Sequence, residues 1–256
     1  MTPHIFTEAS NGVQTIEIRR PEKKNALTIE MYTVLAAAIL RAENDDAVRV
    51  ILIQGQPGVF TSGNDVQDFL NNPPSGLDAP AFQFLRALIH ANKPVVASVA
   101  GNAVGIGTTL LLHCDFVLAG KSARFSTPFS NLGVCPEAAS SVALPLLIGW
   151  RRATEMLLLG NAIDADTAHA WGLINRVVPD DELQAQSLAT VQAIAAKPVQ
   201  ALSATKALMR NKLMPAFDAA LAEEAREFGR LLQTPDSQEA FRAFLEKRTP
   251  KFAQSI

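Results

Sequence analysis

Two glycine-punctuated loops, each between a run of apolar β-formers and a helical pattern, constrain this chain more than any other feature. The first is Phe60-Thr61-Ser62-Gly63-Asn64-Asp65, after residues 48–54. The second is Gly101-Asn102-Ala103-Val104-Gly105-Ile106-Gly107-Thr108-Thr109, after residues 95–99. Apolar runs of that length read as buried strands. At a strand-to-helix junction, backbone N–H groups lack intrahelical partners and can converge on a ligand oxygen. Two of them aimed at one carbonyl make an oxyanion hole, and a nearby carboxylate supplies a base. Glu137, in Gly133-Val134-Cys135-Pro136-Glu137, is the carboxylate in apolar company. The pattern points to acid–base chemistry on a carbonyl compound whose enolate must be stabilised.

The rest of the chain is organised as α/β. Residues 5–19 alternate as two short strands around Asn11-Gly12, a hairpin signal. Thr28 is suited to cap a helix running to residue 42, and a second helix is expected over 79–91, halted before Pro94. The stretch Asn71-Asn72-Pro73-Pro74-Ser75-Gly76 breaks any helix and marks a mobile loop. Residues 116–119 and 174–178 read as further strands. From Asp181 onward the period is helical, with breaks near Pro198, Pro215 and Pro235. A core over residues 1–195 and a helical region over 196–256 are therefore expected.

Composition narrows the function classes. Of 256 residues, 48% are hydrophobic and 19% charged, enough to bury a large core and incompatible with disorder. A net charge of −2 gives no electrostatic case for nucleic acid or an anionic membrane. Cys114 and Cys135 lie in apolar contexts and read as free thiols in a reducing compartment. The N-terminus has no signal-peptide pattern, and residues 142–150 are too short and too broken by Pro145 to span a bilayer. Gln254-Ser255-Ile256 is not a peroxisomal address. A cytoplasmic location is the expectation by elimination. The histidines His4, His90 and His169 show no metal-ligand spacing, so no metal is expected.

The chain resembles the crotonase (enoyl-CoA hydratase/isomerase) superfamily. The resemblance runs from Arg20-Pro21-Glu22-Lys23-Lys24-Asn25-Ala26-Leu27 through both loops to Cys114-Asp115. It continues through Ala123-Arg124-Phe125-Ser126-Thr127-Pro128 and Ala170-Trp171-Gly172-Leu173-Ile174 into the C-terminal helices. It implies a spiral of ββα units with a helical C-terminal region, assembled as a homotrimer or a dimer of trimers. Hydratases of the family carry two catalytic glutamates, at positions matched here by Thr109 and Phe129. Glu137 instead matches the lone catalytic glutamate of the monofunctional Δ3,Δ2-enoyl-CoA isomerases, and residues 128–141 are most similar to the peroxisomal type.

What the resemblance implies for single residues stands beside plainer readings. It assigns the N–H groups of Asn64 and Ile106 to the oxyanion hole. Gly63 and Gly107 alone would mark only tight turns. Asp65 reads as a helix N-cap, Asp115 as a partner for backbone donors at a strand start, and His113 as a packed core histidine. Thr108 and Thr109 are placed to bond a neighbouring carbonyl or simply to pack. The family's coenzyme A contacts map to Lys24 and Ala26, and to Lys247 near the C-terminus. For Glu137, Pro136 at a first helical position and a helix over 138–147 would place the carboxylate in a helix dipole that lowers its pKa. Desolvation by Val134, Cys135 and Phe129 would raise it. Sequence leaves that balance open.

The activity the resemblance implies is transfer of a 3-enoyl-CoA double bond to the conjugated 2-enoyl-CoA. Coenzyme A then belongs to the substrate and no separate cofactor is required. The alternatives are another crotonase reaction, such as weak hydration or thioester hydrolysis, and an acyl-CoA-binding protein that has lost catalysis.

Overall fold

The computed structural model describes residues 2–73 and 76–252. Pro74 and Ser75 of the 71–76 break, and the terminal residues 254–256, lie outside the described residues. Strands β1 (Ile5–Ser10) and β2 (Val13–Ile18) pair antiparallel about Asn11-Gly12, both left-handed at φ 52° and 79°. Helix α1 (Ile29–Asn44) begins at Thr28, whose Oγ1 accepts from the Met31 N–H at 3.3 Å. Next come β3 (Val50–Gln54), α2 (Val66–Asn71), α3 (Pro80–Ile89) and β4 (Val95–Val99). The middle of the chain holds β5 (Asn102–Val104), α4 (Ile106–Thr109), β6 (Phe116–Gly120) and β7 (Arg124–Ser126). After α5 (Ser140–Ile148), α6 (Trp150–Thr154), β8 (Ile163–Asp164), α7 (Ala165–Trp171) and β9 (Arg176–Val178), the chain is helical.

The main sheet has the order β1-β2-β3-β4-β6-β9 and is parallel from β2 onward, while β5, β7 and β8 form a second small sheet. Alternate residues of β3 enter different cores, which is why the strand reads as unbroken apolar sequence. Ile51 and Ile53 join the cluster containing Met31, Leu35 and Ile39 of α1 and Leu85 and Leu88 of α3. Val50 and Leu52 join a second cluster with Val191 and Ile194 of α8 (Leu183–Ala195). Each such side chain contributes about 1.5–3 kcal/mol on burial. The sheet that carries both glycine loops is thus anchored on both faces.

The prolines of the last third open helices rather than merely interrupt them. Pro198 caps α9 (Val199–Arg210), and Pro215 and Pro235 lie in the first turns of α10 (Met214–Leu231) and α11 (Pro235–Leu245). A missing N–H is harmless there because it has no intrahelical partner. Phe69 of α2 meets Phe228 of α10 edge-on at 5.8 Å and Phe241 of α11 at 6.1 Å. Phe129 and Val134 belong to the same cluster, so the C-terminal helices pack against the segment leading to Glu137. Among the described residues no helix is long and apolar enough to cross a membrane. Cys114 and Cys135 are free and half-buried, with burial pushing both thiols up to about 12.

One local expectation fails. The helix expected over 138–147 begins only at Ser140, because Ala138 and Ala139 both take left-handed backbone at φ 62° and 53°. Glu137 therefore precedes the helix and is not its first-turn acid. Two left-handed alanines cost roughly 1–2 kcal/mol each, so tertiary contacts must hold them.

Candidate active site

Strands β3 and β4 are neighbours, with Gln54 opposite Ser98, so the two glycine loops leave the sheet side by side. They are then joined directly. The Thr61 N–H donates to Asn102 O at 3.0 Å, and the Val104 N–H donates to Thr61 O at 3.1 Å. Two glycines permit that approach. Gly63 has φ 86°, and a Cβ there would lie 2.8 Å from Val104 O. A Cβ on Gly107 would lie 2.6 Å from Thr61 Cγ2. The loops thus need glycine where they cross, which is more than a turn requirement. Among the described residues, neither the Asn64 nor the Ile106 backbone N–H donates to a protein acceptor. Ile106 is the first residue of α4, where an unpaired N–H is expected.

The segment from Arg20 to Leu27 clips onto the first loop. Arg20 Nη1 donates to Ala26 O at 2.9 Å and to Asp65 Oδ2 at 2.7 Å. Asn25, fully buried and left-handed at φ 56°, donates through Nδ2 to Phe60 O at 2.9 Å and accepts the Arg20 N–H at 2.6 Å. The Thr61 hydroxyl donates to Asn25 O at 2.7 Å, and the Leu27 N–H donates to Gly63 O at 2.8 Å. Asp65 also caps α2, accepting the Asp68 N–H at 3.1 Å, and its carboxyl is held below the usual range although burial opposes this. Exposed Lys24 and half-buried Ala26 consequently stand beside the first loop, whereas exposed Lys247 follows α11 at φ 53°.

Glu137 is 5% exposed and accepts a hydrogen bond on Oε1 from the Thr109 hydroxyl. Thr109 lies three residues beyond Ile106 in the second loop, so the Glu137 carboxylate and the second loop are in contact. Burial pushes the Glu137 carboxyl up to about 8; the Thr109 bond opposes this, and the Glu224 charge adds to it. Desolvation wins the contest that sequence left open. Tyr32 of α1 donates to Asn64 Oδ1 at 2.5 Å, and burial with the nearby Glu137 charge raises its pKa well above the usual phenol value. A cavity of about 380 Å³ beside Tyr32 is lined by Leu27, Ile29, Phe69, Pro80 and Ala81.

Several functional contacts escaped the sequence reading. Asn25 and Tyr32 carry no motif of their own. Glu224 of α10, 6% exposed, accepts the Ala139 N–H at 2.6 Å and the Ser141 N–H at 2.9 Å. Its signal was available: it falls in the helical stripe of Phe217, Leu221 and Phe228, where a solvated acid does not belong. His113 is the core histidine expected, with Nε2 at 2.6 Å from Ala138 O and burial lowering it to about 4. Asp115 takes its expected place, accepting the Val95 N–H at 2.8 Å at the start of β4 and the Lys206 ammonium at 2.6 Å. The Thr108 hydroxyl donates to Ala103 O at 2.6 Å.

Residues 8–255 match the family model described as enoyl-CoA hydratase/isomerase. The chain is 34% identical to the 1,2-epoxyphenylacetyl-CoA isomerase of Escherichia coli K12, over 98% of this chain and 99% of that protein. It is 36% identical to human enoyl-CoA delta isomerase 2, covering 86% of this chain and 57% of that longer protein. The crystal structure of an enoyl-CoA hydratase/isomerase from Pseudoalteromonas atlantica T6c superposes with a TM-score of 0.93 at 38% identity, covering 98% of this chain and 100% of that one. The chain belongs to the enoyl-CoA hydratase/isomerase family, the acyl-CoA enzymes of the crotonase superfamily.

Proposed function

We propose that the protein is a Δ3,Δ2-enoyl-CoA isomerase with Glu137 as its only acid–base group. The observation that carries this reading is the buried Glu137 carboxylate, pushed up to about 8, in contact with a loop that offers a free N–H. The thioester oxygen of a 3-enoyl-CoA accepts from the Asn64 and Ile106 N–H groups. Glu137 takes a proton from C2, giving a dienolate whose charge rests on the thioester oxygen. The protonated carboxyl then returns that proton to C4, and the double bond moves into conjugation. Proton inventory and charge balance with no other reactant, and coenzyme A arrives as part of the substrate. Lys24, the Ala26 main chain and Lys247 are assigned to the coenzyme A moiety, and the cavity beside Tyr32 to the acyl chain. The same reading carries assembly as a homotrimer or a dimer of trimers, supported by Leu146, Trp150 and Leu158, which are 60%, 75% and 65% exposed.

The test follows formation of the conjugated thioester by ultraviolet absorbance from 3-enoyl-CoA substrates of short, medium and long chain. Because Glu137 must be ionised to accept the C2 proton, kcat/KM should rise with pH through about 8 and level off above it. Glu137→Gln should lower turnover by about 10²-fold or more with ester binding little changed. A wild-type protein inactive on every chain length sinks the reading.

A further inference from the structure

Glu224 is a buried carboxylate, and each of its oxygens accepts a backbone N–H. Oε2 accepts the Ala139 N–H at 2.6 Å and Oε1 the Ser141 N–H at 2.9 Å. These donors flank the start of α5, directly after the left-handed pair Ala138–Ala139 that follows Glu137. From the opposite side, His113 Nε2 donates to Ala138 O at 2.6 Å. Ala138 and Ala139 are completely buried and carry a Cβ, so nothing intrinsic to them favours this backbone. The clamp supplies what their conformational preference does not.

We propose that Glu224 is a positioning residue for the base: by clamping the Ala138–Ala139 link it fixes where the Glu137 carboxylate points. A relaxed link would let residue 138 return to right-handed backbone and extend α5 toward Pro136. Glu137 would then swing into the helix's first turn, away from Thr109. The clamp also separates the two acids chemically. Burial raises the Glu224 carboxyl as well, but two backbone N–H groups oppose that rise, whereas Glu137 has one hydroxyl to oppose it. The charge on Glu224 in turn holds the Glu137 proton more tightly. Cys135 faces Glu224 from the segment before α5, and Glu223 adds its charge from α10 itself.

The kinetic part of the test rests on the isomerase reading; the titration part does not. Glu224→Gln removes the charge and replaces one acceptor by a donor that opposes a backbone N–H. It should lower turnover roughly 10- to 100-fold, as small misplacements of a catalytic group do, with the Kd for a CoA ester unchanged. The Glu137 carboxyl, followed by carbon-13 NMR of labelled glutamate and assigned through Glu137→Gln, should titrate about one pH unit lower. Glu224→Asp keeps the charge but shortens the arm, so it should lose turnover without that titration shift. It also serves as the test if the Gln variant does not fold. A folded variant with wild-type turnover and titration overturns the proposal. So does parallel loss of turnover and ester binding with an unmoved Glu137 titration, which would mark Glu224 as a structural cap alone. Inactive wild type would remove the isomerase reading, while an unmoved Glu137 titration in folded Glu224→Gln would still overturn the proposal.

Discussion

Replacing Glu137 by Gln should stabilise the folded protein increasingly as pH rises, while it removes the proposed base. The carboxyl is held at about 8 against an ordinary 4.5, chiefly by burial. Below 4.5 both folded and unfolded chains are protonated and the group contributes nothing. Between the two values the unfolded chain has released a proton that the folded chain keeps, so folding weakens as pH climbs. Above 8 the full penalty is present, about 5 kcal/mol at ~1.36 kcal/mol per pH unit. The same linkage gives a penalty of about 1 kcal/mol at pH 5 and about 3 kcal/mol at pH 7. Glutamine cannot ionise, and its amide oxygen can still accept from Thr109. The melting temperature of Glu137→Gln should therefore gain roughly 5–10 °C on wild type between pH 5 and pH 7, at ~2–4 °C per kcal/mol for a chain of this size. The assay is thermal unfolding of both proteins by circular dichroism at pH 5, 6, 7 and 8. Other titrating groups are common to both and largely cancel in the difference. A gap that is constant with pH, or that narrows toward pH 8, would refute a desolvated base.

Gly107→Val places a branched side chain where a Cβ already comes within 2.6 Å of Thr61 Cγ2, forcing the two loops apart. Losing one oxyanion donor costs about 2.7–4 kcal/mol, so turnover should fall at least 10²-fold in a protein that still folds by circular dichroism. Wild-type turnover in a folded variant would remove the second loop from the mechanism. Lys206→Met strips the ammonium that lies 2.6 Å from Asp115 and 2.8 Å from Lys93 O, leaving a carboxylate without its partner. Stability measured by urea unfolding should drop by about 3–5 kcal/mol while activity per folded molecule stays constant.

The sequence made legible whatever is written in short range. The Asn11-Gly12 hairpin, the Thr28 and Asp65 caps and the apolar strands all follow from neighbouring residues and stand in the structure, with strand ends differing by about two residues. The adjacency of the two glycine loops follows from the parallel pairing of β3 with β4. What stayed hidden was conformation imposed from far along the chain. Pro136 followed by small residues has the local signature of a helix start, and local propensity alone would put Ala138 in it. Glu224 and His113 overrule that preference from 85 and 25 residues away. Asn25 escaped for a related reason, since its partners Val59 and Phe60 lie across a loop closure that no motif announces.

The two buried carboxylates also bear on which reaction the scaffold can run. Adding water across a double bond requires a water held and activated by one group while another delivers a proton. At first sight Glu137 and Glu224 offer a pair. Glu224, however, accepts a backbone N–H on each oxygen and is 6% exposed. Protonating it would weaken both of those charge-assisted hydrogen bonds. Thr109 and Phe129, at the two positions that the resemblance assigns to hydratase glutamates, supply a hydroxyl already donated to Glu137 and an aromatic ring 5% exposed. One mobile proton on one carboxyl is what a shift from C2 to C4 uses. The burial that raises Glu137 serves both halves of such a step, since a group near 8 accepts a proton readily and, at neutral pH, gives it back at little cost.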